Sequence, residues 1–129
     1  MRERSAGNVS AEFRSVTESW SPRVIAEANG QFVKVARVDG ELVWHAHAQE
    51  DEFFLCQEGV FGLRFRDGGE VRLNAGEFYV VPRGVEHLPF TVGGPAKILF
   101  VEPAQTLHTG EVVSDRTRSI ASQTSHLAP

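Results

Sequence analysis

The sequence predicts an all-β fold, a sandwich or closed barrel of short strands. Three observations carry this. From about Val24 to Val101 the chain is broken into short apolar segments, each bounded by Gly, Asp or Asn. Several of these segments alternate apolar and polar residues with the period of two that a half-buried strand requires. None sustains the 3.6-residue period of an amphipathic helix.

The elements follow in order. Residues 32–38 are rich in Val and lie between the turn dipeptides Asn29-Gly30 and Asp39-Gly40. Residues 52–57 form a second strand that ends at Gly59. In residues 60–66, Phe61, Leu63 and Phe65 share one face, with Gly62, Arg64 and Arg66 on the other. Asp67-Gly68-Gly69 turns into residues 70–73, and Asn74-Ala75-Gly76 into residues 77–81. The last two strands, 87–92 and 96–101, flank Gly93-Gly94-Pro95. Phe53, Phe54, Phe61, Phe65, Phe78, Phe90 and Phe100 are most simply core, with some left to line a pocket or a dimer interface.

A chain of 129 residues fits one domain. Three zones divide it. Residues 1–22 form a polar arm, whose Phe13, Val16 and Trp20 could dock it as an edge strand or as a strand exchanged with a partner. Residues 23–103 are the β domain. Residues 104–129 are a polar tail, read as extended or disordered. The net charge of -4 argues against a nucleic-acid partner and against attachment to an anionic membrane. Cys56 is the single cysteine, so no internal disulfide forms. The first sixteen residues contain no apolar signal-peptide core, and no apolar run is long enough to span a bilayer. A soluble cytoplasmic protein is the expectation.

Three histidines and one acid carry the candidate chemistry. In Trp44-His45-Ala46-His47 the two imidazoles are two residues apart, so extended backbone turns both to one face with Cβ atoms roughly 6–7 Å apart. They can converge on one cation, or be ordinary core or surface histidines. Glu52 follows a polar stretch, residues 48–51, that reads as a turn returning it beside the histidines. It can complete a set of His and carboxylate ligands, or be one more exposed acid after Glu50 and Asp51. His87 follows the tight turn Pro82-Arg83-Gly84 and is open to a structural or a ligating role. His108 and His126 lie in the polar tail and receive no role. Arg64 and Arg66 are assigned to the solvent face rather than to an anionic ligand. Cys56 shares a face with Phe54 and Glu52 and needs no function beyond packing. Tyr79 could bring a phenol near the site.

Two stretches decide between these alternatives. Residues 40–59 read G-x4-H-A-H-x4-E-x6-G, and residues 76–87 read G-x5-P-R-G-x2-H. Together they resemble the two motifs of the cupin superfamily, over about residues 40–101 and more loosely from 32. The first motif usually has five residues between its Gly and first His, where this chain has four. The second usually ends in Asn where this chain has Thr91. Neither position is a usual metal ligand.

The resemblance implies a jelly-roll, or double-stranded β-helix, barrel. It implies that His45, His47, Glu52 and His87 hold one divalent transition metal ion per chain: Fe, Mn, Ni, Co or Zn. Three imidazoles and one carboxylate would leave about two open positions on an octahedral ion. No catalytic residue beyond the ligands is identified. The implied function is a metal-dependent enzyme acting on a small oxygen-rich metabolite. It would be of dioxygenase type or of sugar isomerase or lyase type, similar to the phosphomannose-isomerase-like cupins. The alternative is a non-catalytic small-molecule binding or sensing module. A homodimer is the implied assembly.

Overall fold

The computed structural model describes residues 4–127. Eight strands form two antiparallel sheets facing each other: β1 (Arg23–Ala28), β2 (Gln31–Val38), β3 (Glu52–Glu58), β4 (Phe61–Phe65), β5 (Glu70–Leu73), β6 (Phe78–Val81), β7 (His87–Thr91) and β8 (Ala96–Pro103). The larger sheet has the order β1-β2-β8-β3-β6, and the smaller β5-β4-β7. Residues 41–45 extend the smaller sheet beside β7 through antiparallel bridges, Glu41 to Phe90 and His45 to His87. This is the jelly-roll barrel that the motifs imply, and the predicted strands fall within two residues of those found. β1 is an element the sequence reading did not single out.

Alternation decides what faces inward. On β8 the burial pattern is strictly two-periodic, with Ala96, Ile98, Phe100 and Glu102 inside. β3 places Glu52, Phe54 and Cys56 inside. Phe54 meets Phe61 across the barrel at 5.3 Å between ring centroids, and its paired neighbour on β8, Phe100, at 5.7 Å. Aromatic and aliphatic packing therefore fills most of the interior. Cys56 sits within this core, and burial pushes its thiol pKa up. β2 departs from alternation because Val35, on its outer face, is also covered.

The cover over Val35 corrects the reading of the arm. The arm meets the sheet edge at Ser19, through a parallel bridge to Arg37, and Val9–Arg14 form a short helix, α1. Asn8 caps it by accepting a hydrogen bond from the Ala11 amide, and Val9, Phe13 and Val16 follow the i, i+4, i+7 spacing of a helical face. That face packs on Val35 of its own chain. Trp20 then turns through φ 60°, bonds Arg37 and Asp39 carbonyls through its two N–H groups, and enters the core. The first three residues of the arm lie outside the described residues.

The tail is likewise neither extended nor disordered between Ala104 and Leu127; its last two residues lie outside the described residues. It runs through turns into α2 (Ile120–Thr124) and buries Thr106, Thr109 and Gln123. Its polarity misleads because its hydroxyls are satisfied internally. Thr109 pairs with Thr117 at 2.7 Å, and Thr117 accepts from the Ser114 amide. Gly110 lies so close to the barrel that a Cβ there would stand 2.1 Å from the Ala46 carbonyl oxygen. Gln123 Oε1 accepts a 2.5 Å hydrogen bond from Lys34, whose ammonium, 1% exposed, also donates to Glu102 at 2.7 Å.

Lys34 thus holds the tail to the barrel. Replacing it in Lys34→Met leaves two buried acceptors without their donor. The expected cost is about 3–5 kcal/mol, measured by chemical denaturation. A variant as stable as the parent would show that the buried contact contributes nothing.

Candidate metal centre

The centre lies at one end of the barrel, where the first-motif segment meets β3 and β7. His45 and His87 exchange two backbone hydrogen bonds, N to O at 3.0 and 2.9 Å. Such a pair sets two residues directly opposite each other, and the imidazole centroids lie 4.5 Å apart. His47, two residues on, turns to the same side, 5.0 Å from His45 between centroids. Glu52 opens β3 on its inward face. Asp51, the neighbouring acid, points outward and accepts from the Arg83 amide at 2.8 Å.

The structure therefore brings together the four residues singled out in the sequence. All are buried, and their ligand atoms lie within 4.8 Å of one another. Glu52 Oε1 is 3.1 Å from His47 Nε2 and 3.3 Å from His87 Nε2. Neither approach has hydrogen-bond geometry, so all three atoms are buried without a hydrogen-bond partner. Buried polar atoms are rarely left so. A cation is the partner such a set fits: ligands about 2.1 Å from one ion and at right angles would be about 3 Å apart.

The imidazoles are prepared for that role. His45 Nδ1 lies 2.8 Å from the Val43 carbonyl oxygen, and His87 Nδ1 lies 2.9 Å from that of Val85. A carbonyl only accepts, so each Nδ1 carries the proton and each Nε2 keeps its lone pair for the centre. Burial, reinforced by His87, lowers the His45 pKa to about 4, which keeps the ring neutral.

Sequence reasoning missed three further polar groups. Glu102 and Lys34 occupy inward positions of β8 and β2, and Glu102 Oε2 is buried without a hydrogen-bond partner. Burial and the Glu52 charge push the Glu102 carboxyl well above its usual range, against the pull of Lys34. Alternation along the two strands was the available signal. His108, which received no role, lines the barrel cavity together with His45 and Glu52. Burial lowers its pKa to about 4. No local signal marks it, because a turn in the tail brings it there. His126 contacts the Val24 carbonyl, away from the centre.

The cavity is otherwise apolar, with Trp20, Leu42, Phe54, Phe61, Ile98 and Phe100 among its walls. On the other side a groove between residues 46–50 and 105–112 reaches His45 and His47. Arg64 and Arg66 lie on the solvent face as expected, stacked over Phe90 and Trp44 at 4.2 and 4.0 Å.

An antiparallel jelly roll carrying three histidines and a glutamate at its open end is the architecture of a cupin. The chain belongs to the Cupin_2 family of cupin domains, whose pattern matches residues 32–102. It is 32% identical over 80 residues to the uncharacterized protein YdbB of Bacillus subtilis (strain 168), covering 62% of this chain and 71% of that one. A cupin-2 domain containing protein from Shewanella frigidimarina NCIMB 400 superposes with a TM-score of 0.71 at 46% identity, covering 74% of this chain and 92% of that one. Hydroquinone 1,2-dioxygenase from Sphingomonas sp. TTNP3, solved with 4-hydroxybenzoate bound, shares the fold, with a TM-score of 0.60 and 18% identity over 71% of this chain and 70% of that one. Among the described residues no helix is long and apolar enough to cross a membrane.

Imidazole ¹H–¹⁵N spectra of the metal-free protein test the hydrogen-bond assignments. His45 and His87 are expected as Nδ1–H tautomers. Either ring protonated on Nε2 instead would contradict the prepared site.

Proposed function

We propose that this cupin binds one divalent transition metal ion per chain through His45, His47, Glu52 and His87. We propose further that it works as a metal-dependent enzyme on a small oxygen-bearing metabolite, of dioxygenase type or of sugar isomerase or lyase type. The observation that carries this reading is the trio of buried, unpartnered ligand atoms on His47, Glu52 and His87, beside a cavity. A bound ion would polarise a substrate oxygen or activate O₂.

The protein's own groups set the terms of binding. Three neutral imidazoles and one carboxylate offset only one of the two charges of a divalent ion, which favours an anionic oxygen from the ligand. The Nδ1–H bonds of His45 and His87 hold their rings in place. The apolar walls exclude water. Homodimer formation belongs to the same reading. Phe78 and Val80, exposed on the edge strand β6 with Phe53 stacked on Phe78, are the support for it.

Elemental analysis of natively expressed protein tests the centre. Metal near one per chain is expected, with His47→Ala and Glu52→Ala each weakening its retention at least about tenfold. A chain that neither carries nor takes up metal would overturn the proposal. O₂ consumption with hydroxylated aromatics, keto acids and sugars then separates the chemistries. Ligand-induced thermal stabilisation with no turnover across the panel would favour the binding module. A monomer by light scattering would remove the homodimer.

A further inference from the structure

Two hollows border the centre, and their sizes divide their roles. The barrel cavity has about 30 Å³ of room, far below the roughly 300–1,000 Å³ of a site for an organic ligand. The groove on the other side has about 530 Å³, within that range. His45 and His47 form part of its wall. His47 is 4% exposed, and both its ring nitrogens are buried without a hydrogen-bond partner. A molecule held at the centre by one end would rest its other end in this groove.

The charged side chains of the groove carry one sign. Glu50, Glu86 and Glu111 line it, with no Lys or Arg among the described lining residues. Glu86 accepts a 2.5 Å hydrogen bond from Arg66, which offsets its charge. Among the described residues neither Glu50 nor Glu111 has an ion-pair partner. Glu50 accepts only a 3.5 Å hydrogen bond from Gln105 on the facing wall. Glu111 belongs to the tail, in a turn closed by the bond from the Val112 amide to the Thr109 carbonyl and seated by Gly110 on Ala46. Between the acids the surface is apolar, with Leu107 and Val112 both exposed. A concave surface with unpaired carboxylates attracts positive charge and repels negative charge.

We infer that the groove selects a ligand by its far end: one whose oxygen meets the four-residue centre and whose other end is an organic cation, an ammonium group drawn by Glu50 and Glu111. The inference rests on the proposed metal centre and narrows its ligand class. The two ends follow from separate observations. The ligand set leaves a divalent ion one positive charge in excess, which calls for an anionic oxygen. The groove calls for a cation, and its apolar stretch suits a short hydrocarbon spacer between the two. A dicarboxylate or a phosphate-bearing ligand would place its second negative charge beside Glu50 and Glu111, with no cationic lining residue to receive it.

Three hydroxamates with one chelating head test this. 4-(Aminomethyl)benzohydroxamic acid is cationic at its far end, benzohydroxamic acid is neutral there, and 4-carboxybenzohydroxamic acid is anionic. Each is titrated into the full chain reconstituted with cobalt(II). Binding is read from the cobalt visible absorption, with metal per chain measured for every variant. Wild type is expected to bind the cationic probe about tenfold more tightly than the anionic one. High salt should shrink that ratio. Glu50→Gln and Glu111→Gln should each lower it, and the double variant should bring it close to unity with metal content unchanged. Glu27→Gln, which removes an exposed acid from β1, should leave the ratio as in wild type. Equal affinities for the cationic and anionic probes in fully loaded wild type would overturn the inference and leave the metal centre standing. A ratio unchanged in the double variant, or lowered as much by Glu27→Gln, would assign the preference to charges elsewhere and also overturn it. A loaded wild type that binds none of the three would overturn the groove as the ligand's place. A wild type that takes up no metal would overturn the underlying proposal, and this inference with it.

Discussion

Two backbone hydrogen bonds between His45 and His87 hold together parts of the chain 42 residues apart. They belong at once to the barrel and to the candidate centre. As sheet pairing they attach the first-motif segment to β7, closing the smaller sheet. As geometry they set two imidazoles side by side, tilted by 53°, each with its Nδ1 tied to a carbonyl two residues earlier. The remaining two ligand residues depend on this pair. His47 takes its side from His45 by alternation, and Glu52 is carried in by the returning strand β3. A register slip of one residue in the first-motif segment would turn His45 and His47 away from the cavity while His87 stayed.

Around the centre the interior changes character within a few ångströms. The inward row of β8 runs from Ala96, Ile98 and Phe100 to Glu102. The row of β3 runs the other way, from Glu52 through Phe54 to Cys56. One end of the barrel is thus a dry core and the other a small polar layer of Lys34, Glu102, Glu52 and the histidines. Isolated, each of these groups would be costly to bury. Together they compensate charge, and the tail supplies the last acceptor through Gln123.

Much of the barrel was legible in the sequence because its signals are local. Alternation in residues 60–66, and the Asn-Gly and Asp-Gly turns, mark strands without reference to the rest of the chain. The four ligand residues were legible for a different reason. Each is ambiguous alone, and the spacing of two motifs together removes the ambiguity. The arm and the tail were misread because polar composition was taken as absence of structure. In the arm, Asn8 followed by Val9, Phe13 and Val16 does encode a capped helix, in too short a segment to stand out. In the tail the ordering contacts are non-local. Gly110 meets Ala46, Gln123 meets Lys34, and Arg118 orients His108. No window of sequence contains both members of the first two pairs.

The buried Lys34 has a consequence for the order in which the molecule can be completed. The barrel's last strand ends at Pro103, whereas the acceptor Gln123 lies 20 residues further along the chain. Without that later segment the strands alone leave a lysine, a glutamate and the candidate centre facing water at one end of the barrel. Pairing of the strands and desolvation of the ammonium ion are therefore separable events, and the second needs the tail. An ion arriving before the tail docks would meet the centre from the side that the tail later lines.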